Sequence, residues 1–200
     1  MNPLRSVGGT IIGGTVLAVI IAAATSGIHW NVGSAIVWFH VLAGITWIGL
    51  LYYFNFVQVP ALGEAVADEG GPGGAGIAKY VAPRALWWFR WGAMATWLSG
   101  AGYLGHLGQF QDAFTLGMME GGSTQGMVIG VGAWFGTIML FNVWILIWPN
   151  QKKILGMVEA SADEIAKAKN VALLASRTNT LLSIPMIMSM VGYGHGGFFL

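Results

Sequence analysis

Cysteine is absent from this chain. Disulfides, thiolate-held clusters, cysteine nucleophiles and a CxxCH site for covalent haem are excluded with it, so a metal or haem iron has to be held by histidine, methionine or oxygen. Charge is nearly as scarce: Asp, Glu, Lys and Arg make up 8% of residues and the net charge is +1. No basic run exists to serve as a nucleic-acid footprint. There is no HExxH, no Ser/His/Asp set or carboxylate pair within the apolar stretches, and no GxxxxGK[ST] at the glycine run of residues 70–76. Hydrolytic chemistry and phosphate-loop nucleotide binding therefore have nothing to stand on.

What the chain does have is apolar length. Of its 200 residues 56% are hydrophobic, with 31 glycines and ten tryptophans, the composition of an integral membrane protein whose helices pack on glycine and anchor at the interfaces on tryptophan. The spacing predicts an all-α polytopic bundle, one membrane domain over residues 1–200, with five spans at about 7–27, 33–58, 84–108, 126–148 and 178–199, each near the twenty residues a helix needs to cross the hydrocarbon. The first run, with Arg5 before it and Ala22 to Ala24 near its end, imitates a signal peptide but is read as a retained span. Its Gly8, Gly9, Gly13 and Gly14 form an expected packing seam. Pro60 and Pro149 are expected to end their helices, Pro185 to kink the last one, and Ser161 with Glu164 to form a capping box. Residues 61–83 read as a surface loop with one or two helical turns at most.

Five spans put the termini on opposite sides. Arg5, Lys79, Arg84, Lys152, Lys153, Lys167 and Lys169 all fall on one of them, which the positive-inside rule makes the cytoplasm and leaves the carboxyl terminus in the periplasm of a bacterial inner membrane. His40 then lies about 10 Å below the outer surface at 1.5 Å per residue, and His29, His106 and His195 lie close to the same face. His40, Gly44 and Trp47 share one helix face: an imidazole beside a glycine gap, with an indole as a wall, where a flat macrocycle can sit. Haem b held by His40, with His106 or His195 opposite, is the cofactor this favours, because neutral imidazoles are tolerated in lipid. A bare copper or zinc site and no cofactor at all remain alternatives. At the cytoplasmic end Asn55, Arg90, Asn142, Arg177 and Asn179 form a second polar set, read either as helix-packing glue with lipid contacts or as an anion or substrate site for a propionate or an acidic donor.

Four blocks carry a family resemblance: WFHVLAGITWIGLLYYFNFVQVP at residues 38–60, RALWWFRWGAMATWLSG at 84–100, GAWFGTIMLFNVWILIWPNQKKIL at 132–155 and ASRTNTLLSIPMIMSM at 175–190. Together the chain resembles the amino-terminal membrane domain of bacterial membrane-bound, cytochrome c-linked urate oxidases. More remotely, the H-x-x-x-G-x-x-W-I-G pattern from His40 to Gly49 is similar to copper-resistance D-type membrane proteins and membrane protoporphyrinogen oxidases, in which the matching histidine is implicated in haem binding. The resemblance implies His40 and His195 as ligand positions. Full urate oxidases of this kind continue into a carboxyl-terminal cytochrome c domain, and with no cysteine up to Leu200 the resemblance implies either that electrons pass to a separate carrier or that the activity has been lost.

The expected function is a haem b redox protein passing electrons from urate or quinol, bound near Arg90 and Arg177, towards a periplasmic cytochrome c. Lipids, other membrane subunits or further copies of the chain are the expected partners, and oxidoreductase activity the enzyme class if any. The rivals are a cofactor-free accessory subunit of a larger respiratory or photosynthetic complex, and a small-solute or metal transporter, against which the apolar stretch between the outer histidines and inner arginines argues.

Overall fold

A computed structural model describes residues 2–26 and 31–196. His29 lies outside the described residues. Every regular element among them is helical, and contacts divide the chain into two compact units, residues 1–34 and 35–200.

In the first unit, Asn2 caps a single turn at Pro3–Arg5 through its side-chain oxygen, 2.9 Å from the Leu4 amide. Ser6 then accepts the Gly9 amide at 3.1 Å, and α1 runs from Val7 to Ser26. Thr10 and Thr15 turn their hydroxyls back to carbonyls one turn earlier, at 3.0 and 2.9 Å, so the helix presents almost no free polar group. Within this unit a methyl group at Gly8, Gly13 or Gly14 would meet nothing within 4 Å.

The second unit takes in all but the first three residues of α2 (Val32–Tyr53), which passes through a π-helical turn, Phe54–Gln58, into α3 (Val59–Ala67). A second π turn, Ile77–Val81, opens α4 (Ala82–His106). After the short α5 (Phe110–Phe114), α6 (Thr124–Phe141) passes through a third π turn, Asn142–Ile147, into α7 (Trp148–Ile154). Finally, α8 runs from Ala162 to Gly194 with Pro185 inside it.

The three π turns have one physical cause. A proline lacks the amide proton and crowds the carbonyl four residues earlier. For Pro60, Pro83 and Pro149 that residue is Phe56, Lys79 or Ile145, each inside a π turn. Widening the helix by one residue there moves the carbonyl off the ring and lets the helix continue. The helices expected to stop at Pro60 and Pro149 therefore run on, as continuous rods Val32–Ala67 and Thr124–Ile154 of 36 and 31 residues. Residues 61–83, expected as a loop with one or two helical turns at most, accordingly hold the rest of α3 and the π turn before α4, with only residues 68–74 between them irregular.

Among the described residues four helices are long and apolar enough to cross a membrane: Val7–Thr25, Val32–Ala67, Thr124–Ile154 and Ala162–Gly194. Their surfaces carry exposed large side chains such as Ile12, Ile45, Phe141 and Leu181, which points to membrane association, since water would penalise such faces. At 25 residues α4 is also long enough, but Arg84 and Arg90 make it less apolar. The 33-residue α8 is about 50 Å long against about 30 Å of hydrocarbon, more than a span needs, and Asp163, Glu164, Lys167 and Lys169 make its first turns the polar ones. There the expected capping box is present: Ser161 Oγ accepts the Glu164 amide at 3.3 Å and Glu164 accepts the Ser161 amide at 2.9 Å. That hydrogen bond to the Ser161 backbone, with Lys153 3.3 Å away, holds the Glu164 carboxyl below its ordinary range.

Helix pairs close on glycine at two faces of α6. Gly126 and Gly130 lie under Asp112 and the Ala113 carbonyl of α5, with no room for a methyl group. Gly132 faces α8, where a Cβ would stand 2.8 Å from Ser189 Oγ. The Ser189 hydroxyl accepts the Gly132 amide at 2.9 Å and donates to the Val128 carbonyl, so a side chain of α8 enters the backbone ladder of α6. Between the helices Trp47, Leu51, Phe89, Met139 and Val143 are fully buried.

Candidate functional site

His40 projects from the middle of α2 onto α4. Its Nδ1 is 2.8 Å from the Thr96 carbonyl oxygen and 3.2 Å from Ser99 Oγ. A carbonyl only accepts, so Nδ1 carries the proton and donates it, and the Nε2 lone pair is left for another partner. Ser99 is held in turn, its hydroxyl donating to the Ala95 carbonyl at 2.6 Å, and the Thr96 hydroxyl donates to Gly92 at 2.7 Å. The ring rests on Gly100, where a Cβ would stand 2.9 Å from Cε1. The glycine that makes room for the imidazole is thus Gly100, on the neighbouring helix.

The other two members of the expected face are engaged elsewhere. Gly44 faces Thr96, whose Cγ2 would be 3.8 Å from a Cβ there, so α4 covers that side. Trp47 is buried at 1% exposure in the packing core, its backbone against Gly92, and its indole N–H has no protein acceptor among the described residues.

His106 ends α4, six residues past Gly100 and so about 9 Å further along the axis. It is exposed. His195 follows α8, also exposed, with Nδ1 2.9 Å from the Val191 carbonyl, which leaves its Nε2 free by the same reasoning as for His40. Tyr193 donates to the Gln109 side chain, so the ends of α4 and α8 meet, and His40, His106 and His195 occupy the same end of the unit. Among the described residues no three His, Asp or Glu side chains converge as a metal-holding group.

The second polar set divides into two. Asn142 Nδ2 donates to Asn179 Oδ1 at 2.8 Å and Asn179 Nδ2 to the Met139 carbonyl at 3.0 Å, all buried. Beside this pair, Asn55 bonds Ser176 at 2.8 Å and Tyr52 bonds Ser183 at 2.9 Å. These are cross-helix ties, each satisfying a polar group that would otherwise be stranded. Arg177 is exposed. Arg90 belongs to a different group, stacked 3.8 Å over the Trp148 ring, with Lys152 5.9 Å from the same ring.

Residues 105–199 match the family model for the urate oxidase N-terminal domain. The match takes in α5 to α8, and with them His106, Asn142, Arg177, Asn179 and His195. It includes the sequence blocks at 132–155 and 175–190, while the blocks around His40 and Arg90 precede it. No curated protein and no solved structure matches the chain.

Thr96, Ser99 and Gly100 are not legible from the helix that carries His40, because they lie on α4. The signal available was the small-residue run from Ser99 to Gly102 on the next span. Trp148 and Lys152, one turn apart, carried a signal in their spacing alone.

Proposed function

We propose that this chain is a haem b-binding redox protein of the bacterial inner membrane, its amino terminus in the cytoplasm and its carboxyl terminus in the periplasm, passing electrons towards a periplasmic cytochrome c. The observation that carries the reading is the His40 hydrogen bond: with Nδ1–H donated to Thr96, the ring is fixed in the tautomer that offers Nε2 to iron, and the carbonyl raises the basicity of that nitrogen. Two neighbouring helices, α2 and α4, hold the ring, and Gly100 leaves room for it against the backbone. His195 has the same tautomer and a free Nε2, so it would be the first choice to hold the group together with His40, with His106 the second. Haem held there would supply one-electron transfer.

The likeness of residues 105–199 to the urate oxidase N-terminal domain supports urate as the electron donor, quinol being the other donor of suitable polarity. Oxidoreductase activity follows only with such a donor bound. A cofactor-free subunit of a larger membrane complex is the second reading. It is favoured by the fact that His40 already ties α2 to α4 through Thr96 and Ser99. A reduced-minus-oxidised spectrum of the purified protein separates the two: a b-type band is expected, and a featureless difference spectrum from protein made with ample haem would leave the packing role.

A further inference from the structure

Arg90 and Lys152 come to one indole from different helices. The Arg90 guanidinium is 3.8 Å above the Trp148 ring and the Lys152 ammonium 5.9 Å from it, and all three side chains are half-buried. An aromatic face attracts cations through its quadrupole but does not neutralise them. Neither cation has a carboxylate: among the described residues the one ion pair is Lys153 with Glu164. No N–H of either side chain meets a protein acceptor there, whereas Arg84, two turns earlier on α4, reaches the Tyr80 carbonyl. The group is two like charges brought to one ring with their donors unspent.

We propose that Arg90, Trp148 and Lys152 form a binding site for the phosphate headgroup of an anionic phospholipid. Stacking on Trp148 occupies the guanidinium face and leaves the N–H edge, whose fork matches two phosphate oxygens. Lys152 supplies a second, mobile charge. The surroundings suit a lipid better than a free ion. Trp87, Trp88 and Trp91, beside Arg90 on α4, are 46%, 49% and 46% exposed, an indole belt of the kind that marks headgroup level. Towards the middle of the same rod as Trp148, Ile145 and Phe141 are 55% and 56% exposed, an apolar track along which an acyl chain can lie. The π turn Asn142–Ile147 leads directly into Trp148, whose ring faces Arg90. The proposal rests on membrane insertion and is independent of haem.

The test uses the full chain, delipidated in a neutral detergent, and titrates it with phosphatidylglycerol or phosphatidylcholine while following thermal unfolding. Wild type should bind phosphatidylglycerol about 30-fold more tightly, each interfacial cation contributing about fivefold. The double variant Arg90→Gln/Lys152→Gln should lose that preference, while Lys167→Gln/Lys169→Gln, with the same loss of charge on the exposed start of α8, should keep it. Should Arg90→Gln not fold, Lys152→Gln alone should still lose about fivefold. Equal binding of the two lipids by wild type, a preference that survives in the double variant, or an undiminished preference in Lys152→Gln would overturn the site. Inorganic phosphate at matched concentration should not compete; if it displaces the lipid fully, the site takes a free anion and the lipid assignment is wrong.

Discussion

The Nδ1 of His40 stands 2.8 Å from the carbonyl oxygen of Thr96, so a side chain of one long helix is bonded to the backbone of the next. The acceptor is a backbone carbonyl and no side-chain substitution removes it, so the surroundings of the contact have to be varied instead.

Gly100 is the most direct handle. A Cβ there would stand 2.9 Å from the His40 ring, and a valine would push the imidazole off Thr96. Gly100→Val should lower haem affinity about tenfold or more, the scale on which supporting contacts act on a bound metal. Haem titration of the apo-protein measures it; unchanged affinity would mean that ring placement is not what holds the cofactor.

The asparagine pair makes a different prediction, about stability alone. Asn142→Ala leaves the Asn179 amide oxygen buried and unbonded, at a cost of about 1–3 kcal/mol. Asn142→Leu with Asn179→Leu removes both groups and should cost less than the sum of the single changes. Thermal unfolding in detergent reads this, and simple additivity would argue that the two side chains are not paired.

The pH dependence of the α8 start follows from Glu164, whose carboxyl is held below its ordinary range, first by the hydrogen bond from the Ser161 backbone. A depressed folded-state value means that the contribution is complete above the unfolded carboxyl pKa of about 4.3 and is lost as pH falls through the lower folded value. Amide exchange at Ser161 to Ile165 should therefore be flat from pH 7 to about 5 once corrected for intrinsic rates, and should show opening only below about 4. In Glu164→Gln the acid-side step should vanish; a step that persists would belong to another group.

Glycine packing on α6 supplies the last of these tests. Gly132→Leu would place a branched side chain where Ser189 and Met190 of α8 now lie, overpacking the contact by about 1–3 kcal/mol. Gly136, whose nearest neighbour would be Met186 Sδ at 3.7 Å, should tolerate alanine. Comparable unfolding temperatures for Gly132→Leu and wild type would show that the α6–α8 contact is looser than described.

Depth along each helix was legible in the sequence and rotation about it was not. Counting residues placed His40, His106 and His195 at one end of the bundle, and the contacts of Tyr193 with Gln109 and of His40 with Thr96 agree. Counting also put Arg90, Asn142 and Asn179 at one level, yet they face different ways: the asparagines meet each other in the core, and Arg90 meets Trp148. The π turn at Asn142–Ile147 is one reason, since it adds a residue to the turn and swings all that follows it. Proline reads as a stop signal, and nothing local says whether a wider turn will carry the helix past it. The capping box at Ser161 was legible because all its parts lie within four residues. The close approach of His40 to Gly100 was not, because it joins segments sixty residues apart whose pairing only the packed bundle decides.

The most direct measurement is the haem content of wild type and His40→Ala, expressed together with ample haem and purified in parallel, with circular dichroism confirming that both are helical. The central claim requires that wild type retain haem b and that the variant come out empty. A variant that is folded and fully loaded would contradict it.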